Sequence, residues 1–376
     1  MPITPVKAQP GRASRAGHLL ELLATVPDPR DPRGVRYPLA GVLAVAVTAV
    51  LAGARSFAAI GEWAADLPGE HRTRIGLSPS SASSPDESTL RKLFGRLDAD
   101  HLDRALGAWL WTRSAVVNGQ RVIALDGKTV RGARTATTSA PHLVAAFDHA
   151  TGTVLGQVQV AAKSNEIPAV RDLLACFDLT GVVVTVDAMH TQTDTALAIT
   201  TAGGQYVFTV KGNTPTLHRQ LKTLPWADVP AHSSTTTSHG RRTTRTIKAV
   251  AAPAGVGFVG AAQVAQIRRT VTRAGKKSVE VVYVITSADH HDAPPAVLAA
   301  WVRGHWGIED RLHWVRDVSF DEDRSQVRTG HTPRVMATLR NTAISLLRLT
   351  GWNNIAQALR HHARDPERAL TCLLTC

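Results

Sequence analysis

Two aspartates end runs of apolar residues: Asp126 closes "RVIALD" (121–126) and Asp187 closes "GVVVTVD" (181–187). Strands this apolar are buried on both faces of a sheet. Taken singly, a strand-terminal aspartate is most simply a turn former or a helix cap. At matching ends of adjacent strands, the two could share a divalent ion, and carboxylate oxygens suit the hard cations Mg²⁺ and Mn²⁺. A third candidate lies in "PPAVLAAWVRGHWGIEDRLHWVRDVSF", which begins at Pro294, a suitable first-turn residue. There Leu298, Trp301, His305, Ile308, Leu312 and Val315 recur every three or four residues, the stripe of a helix that buries one face. Glu309 borders that stripe, with His305 one turn before it and His313 one turn after. It is either a solvated flank residue or an acid aimed into a cleft. The three cysteines, Cys176, Cys372 and Cys376, are odd in number and lack zinc-type pairing, which fits a reducing cytoplasm and no structural metal.

The elements that must deliver these acids follow a definite order. "RVIALD", "HLVAAFD" (142–148) and "TVLGQVQVA" (153–161) read as three strands, the last two joined by the hairpin connection "HATGT". A helix, "NEIPAVRDLLACF" with Asn165 as its cap, precedes the strand at 181–187. The helix "TQTDTALAITTAG" and the strand "QYVFTV" (205–210) complete the series. Three strands, helix, strand, helix, strand is the order of an RNase H-like α/β core, with the later strands parallel. A dinucleotide-binding sheet would want a Gly-rich turn after its first strand, and "DGKTVRGART" lacks that spacing.

Around this core the chain divides further. Residues 1–36 read as a flexible basic arm, and 37–118 as an N-terminal helical domain that is a candidate DNA-binding surface. Tyr37 to Ala54 carries no charge over nearly the length of a membrane span, but its Ala, Gly and Thr content favours a buried helix. After the Ser/Pro linker "LSPSSASSPDES", Ser88 is the expected cap of "STLRKLFGRL". The core occupies 119–212, a β-rich insertion 213–292, the C-terminal core helices 293–350, and a tail with apolar "LTCLLTC" the remainder.

Charge points to the partner. In 376 residues, 43 Lys and Arg against 30 Asp and Glu leave +13, a balance that favours polyanions. Between Val229 and Val279 there is no acid, while Arg241, Arg242, Arg245, Lys248, Arg268, Arg269, Arg273, Lys276 and Lys277 are all present. Its strand-like runs and "AGKK" turn predict a basic β surface suited to nucleic acid. At 44% hydrophobic and 19% charged residues, the chain is globular rather than disordered.

Several blocks in register, "IALDGKTVRGAR", "KSNEIPAV", "VTVDAMHTQ", "VKGNTPTL", "HGRRTTRT" and "HWGIEDRLHWVRDVSFDEDRSQVR", resemble insertion-sequence transposases of the ISAs-one group. These are relatives of the H-repeat-associated proteins among the DDE, RNase H-like transposases. The resemblance implies a catalytic triad of Asp126, Asp187 and Glu309 holding two Mg²⁺ or Mn²⁺ ions. It implies cleavage and joining of double-stranded DNA at terminal inverted repeats and in target DNA, within a nucleoprotein homo-oligomer and with no membrane partner. The broader superfamily places Tyr, Arg and Lys at set intervals around its glutamate. Val302, His305 and Arg316 stand there, so the aromatic is absent and two basic positions change identity. His305 and Arg316 are thus candidate DNA contacts, with Lys128, His190 and Lys211 at the strand ends. The rival readings are a DNA-binding repressor without catalysis and a general RNase H-like nuclease.

Overall fold

The computed structural model describes residues 19–77, 84–117, 119–162, 164–238 and 240–376. One mixed sheet organises them: β1 (Arg121–Thr129), β2 (His142–Asp148), β3 (Val154–Gln159), β4 (Val182–Val186), β5 (Gln205–Val210), β6 (His232–Ser238), β7 (Arg241–Ala251), β8 (Gln263–Arg273) and β9 (Lys276–Thr286). The strand order is β3-β2-β1-β4-β5-β9-β8-β7-β6. β2 and β3 form the antiparallel hairpin, while β4 and β5 run parallel to β1, as the strand–helix alternation requires. Ile123, Ala124, Leu125 and all of β4 are buried. The RNase H-like order expected from the sequence is therefore the fold.

The basic insertion is a continuation of that sheet. β9 pairs antiparallel with β5, Phe208 opposite Ile285, and β8, β7 and β6 extend the sheet outward as a ribbon. Between β8 and β9, Ala274 and Gly275 both take positive φ, 46° and 75°, the left-handed pair of a two-residue hairpin loop. That loop sets Arg273 opposite Lys276 and fixes the register of the whole ribbon.

The N-terminal helices are α1 (Leu19–Leu23), α2 (Leu39–Leu51), α3 (Phe57–Asp66), α4 (Gly69–Arg74), α5 (Glu87–Arg96) and α6 (Ala99–Trp111). α7 (Glu166–Leu174), α8 (Thr193–Thr201) and α9 (Pro215–Lys222) connect core strands. α10 (Pro295–His305), α11 (Trp314–Val318), α12 (Thr332–Leu349), α13 (Ile355–His362) and α14 (Pro366–Thr375) complete the chain. The uncharged segment becomes α2, buried except at Ala40 and packed against α1, α3, α12 and α14. Among the described residues no helix is long and apolar enough to cross a membrane. α6 lies so close to β3 that a Cβ on Gly107 would stand 2.3 Å from the Leu155 carbonyl oxygen. Asp103 of α6 joins Gln157 of β3 and Arg334 and Thr338 of α12 in a buried polar cluster.

Two local expectations need correction. The first 18 residues of the expected arm lie outside the described residues, but the remainder is not a free arm: Leu19 and Leu23 are buried because α1 packs on α2 and α6. The cap of α5 is Asp86, whose Oδ1 accepts the Thr89 amide at 2.7 Å, and Ser88 falls in the first turn. An aspartate two residues earlier captures the free amides of the first turn. The expected linker at 77–88 falls partly on 78–83, outside the described residues.

Candidate active site

Leu125 and Val186 are register partners in the parallel β1–β4 pair, so Asp126 and Asp187 follow side by side where that pairing stops. Asp187 directly follows the end of β4, but Asp126 does not close its strand as the sequence suggested: β1 runs on to Thr129 because β2 pairs with it there. Their backbones are about 5 Å apart, the ordinary spacing of paired strands. Both continue the face that carries Ala124 and Thr185, and α10 covers that face through Leu298 and Trp301. Thr185 anchors the helix. Its hydroxyl donates to the Ile123 carbonyl (3.2 Å) and accepts from His305 Nδ1 and His149 Nε2, each at 3.1 Å. A hydroxyl has one donor and two acceptor positions, so all three are used.

Beyond α10 the helix widens into a π turn, Glu309–His313, in which the Trp314 amide reaches the Glu309 carbonyl. Such turns shift the facing of side chains within a helix and recur at functional sites. Here the turn brings His313 Nδ1 to 3.0 Å from Glu309 Oε2 and 3.6 Å from Asp126 Oδ2. Donor atoms of Asp126, Glu309 and His313 all lie within 4.8 Å of one another. Asp187 stands beside this trio but outside it, with its Oδ1 3.2 Å from Lys211 Nζ.

The charges are strained in a way that suits a cation. Burial raises the Asp126 carboxyl above its ordinary range; His313 opposes the rise, while the carboxylates of Glu166 and Glu309 add to it. The His313 hydrogen bond lowers Glu309. Burial works to raise Asp187, but the Ala188 amide and Lys211 bring it below the ordinary value. Two acids held this close repel one another, and a divalent ion between them would remove the repulsion. The donors present fit Mg²⁺ or Mn²⁺.

On the opposite face lies an acid that sequence reading passed over. Glu166, in the first turn of α7, accepts from His142 Nε2 (2.6 Å) and His190 Nε2 (3.0 Å), and His142 Nδ1 meets Thr129 Oγ1 at 2.7 Å. Burial works to raise its carboxyl, but the two imidazoles hold it down at about 2. Gly127 leaves the room: a Cβ there would stand 2.5 Å from the Glu166 carboxylate. In sequence, a glutamate opening a helix is simply favourable to the helix dipole. Only the β1–β2 register, which sets Thr129 opposite His142, brings the cluster together.

Residues 118–346 match the family described as "Transposase DDE domain", and residues 20–110 match "DDE_Tnp_1-associated". The chain belongs to the DDE transposase family. It is 31% identical to "Putative transposase YncI" of Escherichia coli O157:H7, covering 88% of this chain and 87% of that protein. It is 28% identical to "H repeat-associated putative transposase YhhI" of Escherichia coli strain K12, over 88% of this chain and 90% of the relative. Among solved structures, the piggyBac transposase synaptic complex with hairpin DNA aligns over 95% of this chain and 80% of its own, with a TM-score of 0.44 and 10% identity.

The transposase fold sorts the expected DNA contacts. Lys211 is half exposed at Asp187. Lys128 is largely covered and paired with Asp317 at 2.7 Å. Three expectations are overturned. His190 is fully buried against Glu166 and fixes the turn after Asp187, with Asn213 Nδ2 donating to the Ala188 carbonyl. Burial, reinforced by neighbouring His190 and Lys211, outweighs Asp187 and pushes His305 down to about 4, so it is neutral at neutral pH and pins α10 to β4. Arg316 is wholly buried, its Nε and Nη2 on Glu322, which also takes Arg340.

The basic ribbon divides by strand alternation. Arg241, Arg245, Arg269, Arg273 and Lys276 continue the face of Asp126 and Asp187, beside Arg303 of α10. Arg242, Arg268 and Lys277 point to the other face. Arg269 is shared with Glu280 at 3.3 Å.

Proposed function

We propose that this chain carries out metal-dependent DNA strand cleavage and strand transfer during transposition of an insertion sequence, in the cytoplasm and within a homo-oligomeric assembly on double-stranded DNA. The carrying observation is that Asp126 and Asp187 lie side by side on one face of the sheet, that Glu309 reaches Asp126 from the helix covering that face, and that a basic ribbon extends the same face beyond them.

Asp126 and Glu309 would hold one cation and Asp187, with Asp126, a second. When bound, the ions supply a water or DNA 3′-hydroxyl of raised nucleophilicity and stabilise the departing 3′-oxygen. The protein's own contribution is placement. Thr185, His305 and His149 fix the helix that carries Glu309. Lys211 offers an ammonium beside Asp187, where a scissile phosphate would lie. Arg241, Arg245, Arg273 and Lys276 give the flanking duplex a phosphate-binding track.

Purified chain incubated with DNA carrying the element's terminal inverted repeats should nick or join strands only with Mg²⁺ or Mn²⁺. Asp187→Asn should abolish product while leaving DNA affinity within about twofold. Cutting that ignores the terminal repeats would favour a general nuclease, and metal-independent binding without product a repressor.

A further inference from the structure

We propose that His313 is itself a metal ligand. Its Nδ1, with one oxygen each from Asp126 and Glu309, forms the protein side of one divalent-cation site, distinct from the Asp187 side. The inference rests on the reading that these carboxylates hold metal, and adds a donor that an all-carboxylate triad lacks.

The placement is specific. A histidine that merely paired with the glutamate one turn earlier would need to face that glutamate alone. Here a single ring nitrogen faces carboxylates from two different elements, at 3.0 and 3.6 Å. Donor atoms around an octahedral ion stand about 3 Å apart, given metal–oxygen distances of about 2.1 Å. Asp187, the expected partner in sharing, is engaged with Lys211 and lies outside the cluster, which leaves the Asp126–Glu309 pair short of a third protein donor.

The ring is also held as a ligand should be. His313 is 3% exposed, set between Leu312 and the turn leading into α11. Ligation requires Nδ1 free of its proton, with the proton on Nε2. The ion would then take the place of the hydrogen that Nδ1 now shares with Glu309. Two carboxylates and an imidazole favour first-row transition ions over Mg²⁺, since imidazole is a softer donor. The site should therefore hold Mn²⁺ more tightly than Mg²⁺, by a margin that depends on residue 313.

The experiment uses the full-length chain with Mn²⁺ alone. Equilibrium dialysis counts bound ions, and pulsed paramagnetic resonance reads nitrogen modulation on them, checked with isotopically labelled histidine. We expect modulation from one imidazole, lost in His313→Gln and kept in His190→Gln, with Mn²⁺ affinity falling at least about tenfold in the first and Mg²⁺ affinity falling less. Mn²⁺ that depends on Asp126 but shows no nitrogen would overturn the ligand and leave the carboxylate reading standing. Mn²⁺ binding unaffected by Asp126→Asn would overturn both. Should His313→Gln fail to fold, the labelled wild-type spectrum decides by itself: no histidine nitrogen on the ion sinks the proposal.

Discussion

Glu166 touches neither the proposed ions nor the DNA track, yet it governs the turn on which Asp187 stands. His190 lies three residues after Asp187 and is fastened to Glu166 at 3.0 Å. Glu166→Gln keeps the size and one acceptor but removes the charge that two imidazoles share. We expect strand cleavage to fall roughly ten- to a hundredfold, as for other groups that orient metal ligands. DNA affinity should change little while the melting temperature falls at neutral pH, where the ionised Glu166 stabilises the fold, and Glu166→Asp should recover part of the rate. Equal losses in binding and rate would mark Glu166 as a general structural residue instead. Arg316 shows the limit of residue-level reading. Its spacing from Glu309 suggested a DNA contact, but its carboxylate partner comes six residues later and the second arginine eighteen residues after that. Spacing along one helix cannot reveal a partner supplied by another element.

At the scale of elements, the end of β4 was legible because its apolar run stops at Asp187, whereas β1 runs on past Asp126 to Thr129 because β2 pairs with it there; the core order followed from the alternation of strands and helices. The direction in which each arginine of the ribbon points was not legible. That depends on register, and a slip of one residue would exchange the two faces. β6 was missed for a related reason: "HSSTTTS" has no apolar residue and is fully exposed, and it is a strand because β7 offers it an edge, with hydroxyl pairs Ser233–Thr246 and Thr235–Thr244. The two faces give a sharp prediction. Replacing Arg241, Arg245 and Arg273 together by alanine should lower the salt dependence of DNA binding by about three phosphate contacts and weaken affinity. The same change at Arg242, Arg268 and Lys277 should leave both nearly unaltered. Fluorescence anisotropy across a salt series checks this, and equal effects from the two faces would contradict the single-face track.

Across the whole molecule, the buried Arg316–Glu322–Arg340 cluster joins α11 to α12, and Arg340 reaches on to the Arg55 carbonyl between α2 and α3. Burial works to raise Glu322, but both arginines overcome it and hold its carboxyl at about 2 against an ordinary 4.5. A depressed folded-state value means that its stabilisation is complete above about pH 4.5 and is lost as pH falls toward 2. Glu322→Gln leaves two buried guanidinium groups without their anion, a cost of about 3–5 kcal/mol. The variant should melt lower at neutral pH, and the gap from wild type should close between pH 4.5 and 2, as thermal denaturation followed by circular dichroism will show. A gap independent of pH would contradict the ionised pair.

The central claim is that Asp126, Asp187 and Glu309 bind metal during DNA chemistry, and a ligand-swap at Asp187 tests it most directly. A thiolate is a poor ligand for Mg²⁺ and a better one for Mn²⁺. Asp187→Cys should therefore be inactive on terminal-repeat DNA in Mg²⁺ and recover cleavage in Mn²⁺. Wild-type cleavage by Asp187→Cys in Mg²⁺ would contradict the account, because the carboxylate would then hold no ion that the reaction needs.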